Sequence, residues 1–367
     1  MMLKLRLPPQ ALIAGACLLL ATTWPTADAE ATRARKKPVA LQDDNAPEAV
    51  TYGRREDVVA LAAGIAERRG LDRAWIEETL AQARYIPGVV RLIQPPPAGT
   101  AKNWAAYRAR FVEPVRIRAG VAFWRDNERW LREAEARYGV PAAIVVGIVG
   151  VETIYAQHMG NFRVLDALAT LSFDFPRDAR RDRSPFFRDE LESFLLLCRQ
   201  QGSDPLALKG SYAGAIGMPQ FMPSSWLKYA IDFDADGRVD LHASAADVIG
   251  SVANYLAEFG WQRGQPTHYA VGAPVDVAER ATLLAPDILP SFSAAQFAEH
   301  GAALEAAGRQ HDGPLALVEL QNGDAAPSYV AGTQNFYAIT RYNWSSYYAL
   351  AVIELGQAVA TVIEATR

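Results

Sequence analysis

The sequence predicts a mainly α-helical protein with a small β element. Apolar residues recur at three- and four-residue steps through much of 57–259, as in helices with one buried face. The longest uncharged apolar stretch, 140–151, has the length of a core helix rather than a membrane span. β-leaning stretches, 315–320 and 336–342, are confined to the last sixty or so residues.

The elements follow in order. Lys4 and Arg6 precede an apolar run over 11–21, and Ala27-Asp28-Ala29 follows. A positive region, a short apolar region and a small-x-small site predict a cleaved secretory signal over 1–29. An uncleaved membrane anchor is the alternative. Cys17 follows Ala14-Gly15-Ala16, loosely like a lipoprotein site, but the apolar run continues past it, so cleavage after Ala29 without lipid is expected. Residues 30–56, with clustered charges, Pro38 and Pro47, predict a flexible linker. Val58, Leu61 and Ile65, then Ile76 and Leu80, predict helices. Pro95-Pro96-Pro97 predicts a rigid loop, and 103–138 reads as one long helix or two. Pro141 opens the next helix, where its missing N–H costs nothing. Helices are expected over 189–201, 245–259 and 346–365, with 209–225 largely irregular. Residues 267–330 mix short helical patterns with turn signals such as Asn322-Gly323-Asp324.

The chain has 367 residues, 50% apolar and 21% charged, with net charge −4. That excludes a mainly disordered chain and gives no basic surplus for nucleic acid. Two cysteines exclude a disulfide scaffold. Cys198, in the run Leu195-Leu196-Leu197-Cys198, is expected to be buried. The five histidines form no zinc motif, and no nucleophile elbow or phosphate loop is present.

Four segments could carry chemistry. Glu152 ends the apolar 140–151 run, where desolvation and the negative end of a helix both raise a carboxyl pKa, as a general acid needs. A solvated Glu where the helix surfaces is the alternative. The run 209–225 (KGSYAGAIGMPQFMPSS) interleaves glycines with Ser211, Tyr212 and Gln220, which suits the wall of a polar cleft or a plain packed loop. Residues 335–348 carry four tyrosines, Trp344 and two asparagines, able to stack on sugars or to fill a core. Asp232-Phe233-Asp234-Ala235-Asp236-Gly237 matches the first half of an EF-hand loop. Its twelfth position is Ala243, so a standard loop cannot close. Asp247 could close a longer one, and a metal-free acidic turn is the alternative.

Several motifs occur in one order: Gly150-Val151-Glu152-Thr153, LDALATLSF at 165–173, the glycine-rich segment with QFMPSS at 220–225, the acidic loop, GSVANY at 250–255, and Asn335-Phe336-Tyr337 through Arg341-Tyr342-Asn343. Over about residues 55–366 the chain resembles the lytic murein transglycosylase B family. The resemblance implies a lysozyme-like helical core within a larger α-rich protein, cleaving the β-1,4 MurNAc–GlcNAc bond of peptidoglycan. It implies Glu152 as catalytic acid then base, and 1,6-anhydroMurNAc ends as product. Ser211, Gln220, Tyr255, Tyr342, Asn343 and Tyr348 match positions lining the family's cleft. Asp232, Asp234, Asp236, the Arg238 carbonyl and Asp247 match its calcium loop. No cofactor is implied for the chemistry, while a structural Ca2+ is.

On this reading the chain divides into a signal (1–29), a linker (30–56), an N-terminal helical part (57–130), a catalytic core (131–266, metal loop 232–247), an additional α/β segment (267–330), and an aromatic cleft segment with the last helix (331–367). Its partners are peptidoglycan glycan strands and other cell-wall enzymes, and it is expected to be a periplasmic monomer. A hydrolytic muramidase of the same fold is the runner-up. It needs a second carboxylate, with Asp174 and Asp178 as candidates. A non-catalytic peptidoglycan-binding protein is the third reading.

Overall fold

The computed structural model describes residues 50–95, 102–176 and 181–366. The signal, the Pro96-Pro97 loop and Asp178 lie outside them. Along the chain run α1 (Glu56–Arg69), α2 (Arg73–Ala81), α3 (Pro87–Leu92), α4 (Trp104–Phe111), α5 (Pro114–Asp126), α6 (Glu128–Tyr138) and α7 (Ala142–Thr153). Then come β1 (Phe162–Arg163), α8 (Val164–Phe173), α9 (Ser184–Gln201), β2 (Lys209–Gly210), α10 (Pro223–Tyr229) and α11 (Ala245–Glu258). The remainder is β3 (His268–Gly272), α12 (Val277–Leu284), α13 (Ala294–Glu299), β4 (Ala303–Leu304), β5 (Ala316–Asn322), β6 (Ala325–Gly332), α14 (Gln334–Thr340) and α15 (Ser346–Ala365). The mainly α expectation holds.

Two expectations are corrected. Residues 103–138 form three helices, because Pro114 restarts the chain with Glu113 as its N-cap, and Asn127 ends α5 and begins α6. Residues 336–342 are not β-structure. Thr333 Oγ1 caps the backbone N–H of Asn335, and Phe336, Ile339 and Thr340, at helical spacing, are all buried. Burial on one helical face overrides the β-propensity of the aromatics.

The described residues divide into two compact units. One is built from 50–95 and 160–215, the other from 102–159 and 216–366. The expected linear core, 131–266, is thus shared between them.

In the first unit α8 packs on α9 and α1 on α2. The buried Glu192 carboxylate accepts from Arg68 at 2.5 Å and Arg69 at 2.6 Å. Cys198 is buried, which pushes its thiol pKa up to about 12 and leaves it unreactive.

The second unit holds a four-stranded antiparallel sheet in the order β4-β3-β6-β5. Pro327 is tolerated in β6 because β3 pairs only with Val330, Ala331 and Gly332, so the proline lies where β6 has one partner. Beneath the sheet, Leu283, Phe297, Leu315 and Leu317 form a separate small core.

The main core of this unit is the crossing of α7 and α15. Every residue of α7 except Ala143 is buried, as expected for a helix apolar all round. Burying each of Val146, Ile148 and Val149 contributes about 1.5–3 kcal/mol relative to exposure. α15 is the one described helix long and apolar enough to cross a membrane, but it is packed against α7, α5 and α4. The crossing is close. A Cβ on Gly147 would lie 2.2 Å from the Val352 carbonyl oxygen, and one on Gly356 would lie 2.0 Å from that of Ala143. Only glycine fits there. Gly356→Ala gains about 1 kcal/mol of helix propensity but forces two backbones apart. We expect a net loss of about 2 kcal/mol or more and a melting temperature several degrees lower. An unchanged melting temperature would show that the crossing can relax.

Candidate active site

Glu152, the penultimate residue of α7, is 7% exposed. The Tyr348 hydroxyl, in the first turn of α15, donates to Glu152 Oε1 at 2.6 Å. Burial strips hydration from a carboxyl, and the tyrosine returns one hydrogen bond.

The backbone just beyond Glu152 is strained. Ile154, Tyr155 and Ala156 have φ of 50°, 55° and 75°. Such non-glycine residues cost about 1–3 kcal/mol each and persist only where their surroundings impose them. Buried Thr153 does much of this: its Oγ1 donates to the Met218 carbonyl at 2.8 Å and accepts from Ala156 N at 3.1 Å. From α5, Arg116 Nη1 donates to the carbonyls of Gly150 at 2.5 Å and Val151 at 3.3 Å. A cation there adds a partner to carbonyls of the last helical turn and complements the helix dipole. Burial lowers the Arg116 pKa, partly opposed by Glu113, Tyr155 and Glu152. Sequence reasoning gave Thr153 no role beyond its motif and missed Arg116, which no local pattern marks.

From Ile216 onward the glycine-rich segment belongs to the same unit as Glu152. Gly217, at φ 74°, packs so that a Cβ would lie 2.4 Å from the Leu241 carbonyl oxygen. Gln220 Nε2 donates to the carbonyls of Gly217 at 2.8 Å and Met159 at 3.1 Å. The Tyr342 hydroxyl donates to the Pro219 carbonyl at 2.5 Å, and that of Tyr255 to the Arg341 carbonyl at 2.7 Å. Tyr342 stacks on Tyr348 with ring centres 6.3 Å apart and meets Tyr255 edge-on at 4.9 Å. These hydroxyls and the Gln220 amide hold backbone in place. Half-buried Asn343 follows Tyr342 directly. Ser211 belongs to the other unit, where its buried Oγ accepts from Ala213 N at 3.3 Å and Ala215 N at 3.0 Å. Asp174, also there, accepts from Tyr52 at 2.8 Å and Arg55 at 3.1 Å.

A second constellation surrounds the acidic loop. Carboxylate oxygens of Asp232, Asp234 and Asp247 lie within 4.8 Å of one another, the one such group among the described residues. Asp247, in the first turn of α11, is buried and accepts from Phe233 N and Asp240 N, each at 2.8 Å. Burial raises its pKa, and the charges of Asp234 and Asp232 push the same way against those two N–H bonds. Asp236 lies outside this trio, and its Oδ1 accepts from Arg238 N at 2.8 Å. Three hard oxygen donors at this spacing fit an oxygen-loving divalent cation.

Comparisons with known proteins find relatives over most of the chain. The family described as Transglycosylase SLT domain matches residues 54–357. The membrane-bound lytic murein transglycosylase B of Escherichia coli (strain K12) is 43% identical over 307 residues, 80% of each chain. The solved E. coli lytic transglycosylase Slt35 in complex with calcium is 40% identical, with a TM-score of 0.71 over 84% of this chain and 93% of that one. SltB3 of Pseudomonas aeruginosa, solved in complex with NAG-anhNAM-pentapeptide, is 30% identical, with a TM-score of 0.68 over 83% of this chain and 79% of that one. The chain belongs to the transglycosylase SLT-domain family, the lytic transglycosylases of peptidoglycan with a lysozyme-like helical fold.

Proposed function

We propose that the enzyme cleaves the β-1,4 MurNAc–GlcNAc bond and leaves 1,6-anhydroMurNAc ends, with Glu152 acting first as acid and then as base. The observation that carries this reading is the buried Glu152–Tyr348 pair. Neutral Glu152 donates its proton to the glycosidic oxygen as the C1–O bond breaks. The muramoyl 2-acetamido carbonyl shields the positive charge growing at C1. The carboxylate then takes the proton of the sugar's own C6 hydroxyl, whose oxygen bonds to C1. Glu152 ends protonated, so the cycle closes without water. An internal nucleophile already held in position outcompetes a diffusing one. One carboxyl suffices for both transfers, whereas hydrolytic glycosidases use two. Asp174, the described candidate for a second carboxylate, is engaged by Tyr52 and Arg55. The NAG-anhNAM-pentapeptide complex of the Pseudomonas relative supports an anhydro product.

In this reading Tyr342, Tyr255, Gln220 and Asn343 shape the wall beside Glu152. The acidic trio holds a structural Ca2+, supported by its oxygen donor set and by the calcium complex of Slt35. Asp236 and the Arg238 carbonyl complete the shell in this proposal. The enzyme acts in the periplasm on glycan strands as a monomer alongside other cell-wall enzymes, and residues 1–29 export it.

Digestion of purified peptidoglycan followed by mass spectrometry tests the proposal. Glu152→Gln should lower turnover by about 10³-fold or more while retaining binding. Tyr348→Phe, losing one hydrogen bond to the carboxyl, should lower it by about 10–100-fold. New reducing ends from the wild type would favour the muramidase, and full activity of Glu152→Gln would reject the assignment. Separately, saturating calcium should raise the melting temperature by roughly 5 °C, as expected for about 2–3 kcal/mol of linked stabilisation. Asp232→Asn with Asp234→Asn should abolish that shift, and a shift surviving both changes would remove the trio as the site.

A further inference from the structure

Among the described residues, Trp344 is the one Phe, Trp or Tyr side chain that is exposed, at 36%. An isolated exposed aromatic needs no explanation, but this one is held in place. The Arg341 guanidinium lies 5.4 Å from the Trp344 ring, 5.7 Å from that of Tyr337 and 5.3 Å from that of Phe259. Tyr337 meets the indole nearly perpendicularly, at 86° and 5.9 Å. Three rings around one cation fix the arrangement before any ligand arrives. The connection between α14 and α15 that carries Trp344 is itself braced, with Ser345 N donating to the Asn343 carbonyl at 2.6 Å.

The platform is continuous with the site. From Glu152 the contacts run to Tyr348, Tyr342, Tyr255 and Phe259, then through Arg341 to Trp344. One residue, Asn343, separates Trp344 from Tyr342, so their Cα atoms lie within about 7.6 Å. A glycan strand continues on both sides of the bond being cut, and the C–H face of a pyranose complements the negative face of an indole. A pre-oriented, solvent-facing indole at the end of this ladder offers that face to a sugar at little ordering cost.

We propose that Trp344 is a stacking platform for a further sugar ring of the glycan strand, beyond the sugars flanking the scissile bond. This rests on the glycan-cleaving reading above and extends the same site. It assigns Trp344 a role in affinity for long strands, and Arg341 the role of holding the indole.

The test is binding, so it does not depend on which product forms. In full-length protein carrying Glu152→Gln, affinity is measured for stem-free glycan strands of about eight sugars and for the GlcNAc–MurNAc disaccharide. Adding Trp344→Ala should weaken binding of the long strand about five- to tenfold and leave the disaccharide unaffected. Adding Trp344→Phe should stay within about twofold of the parent, since it keeps a stacking face. Should the alanine variant melt early, Trp344→Gln serves in its place. Equal affinity of parent and alanine variant for the long strand overturns the proposal. So does an equal loss with the disaccharide, or a loss seen only with stem-bearing strands, which would assign the indole to the peptide. Failure of the cleavage reading would show separately, as wild-type protein that yields no cut strands.

Discussion

The close crossing of α7 and α15 is the constraint on which the site depends. Gly147 and Gly356 let two backbones approach where any Cβ would collide with a carbonyl oxygen. That approach allows Tyr348, at the start of one helix, to reach Glu152, at the end of the other. The same packing buries the carboxyl, where hydration is scarce and a well-aimed hydrogen bond matters more than in water. Stability and chemistry therefore share one interface.

Around this pair, most polar groups serve the architecture. The hydroxyls of Tyr255 and Tyr342, the Gln220 amide and Thr153 Oγ1 all donate to backbone carbonyls. They hold irregular backbone, including three consecutive left-handed residues, in a conformation the chain would not choose alone. Arg116 secures the other side by engaging the last carbonyls of α7. Such a surround costs local stability, which the buried α7–α15 core offsets, and it fixes the carboxyl before substrate binds.

Much of this was legible in the sequence where the signal is periodic or compositional. The last helix was expected over 346–365 and is found as Ser346–Ala365, because its apolar stripe is long and Ser345 marks its start. Glu152 stood out as a lone carboxyl ending an apolar run, and the structure buries it. Residues 336–342 misled because aromatic and β-branched side chains favour strands locally, while burial of Phe336 and Ile339 on one face decided for a helix. Strand β6 was invisible because Ala325–Gly332 includes Pro327, a residue that argues against a strand until its partners are known. Asp247 stands close enough along the sequence to close a longer acidic loop. Its burial and its two backbone hydrogen bonds belong to the folded chain. Arg116 left no trace in the sequence, since its partners lie more than thirty residues away.

The central claim is that one carboxyl performs both proton transfers and that the sugar's own hydroxyl replaces water. Digestion of peptidoglycan in water enriched with heavy oxygen tests this directly. The account predicts that the newly formed muramoyl ends carry no heavy oxygen at C1. Its stoichiometric incorporation at each new end would contradict the account and require a second group to activate water.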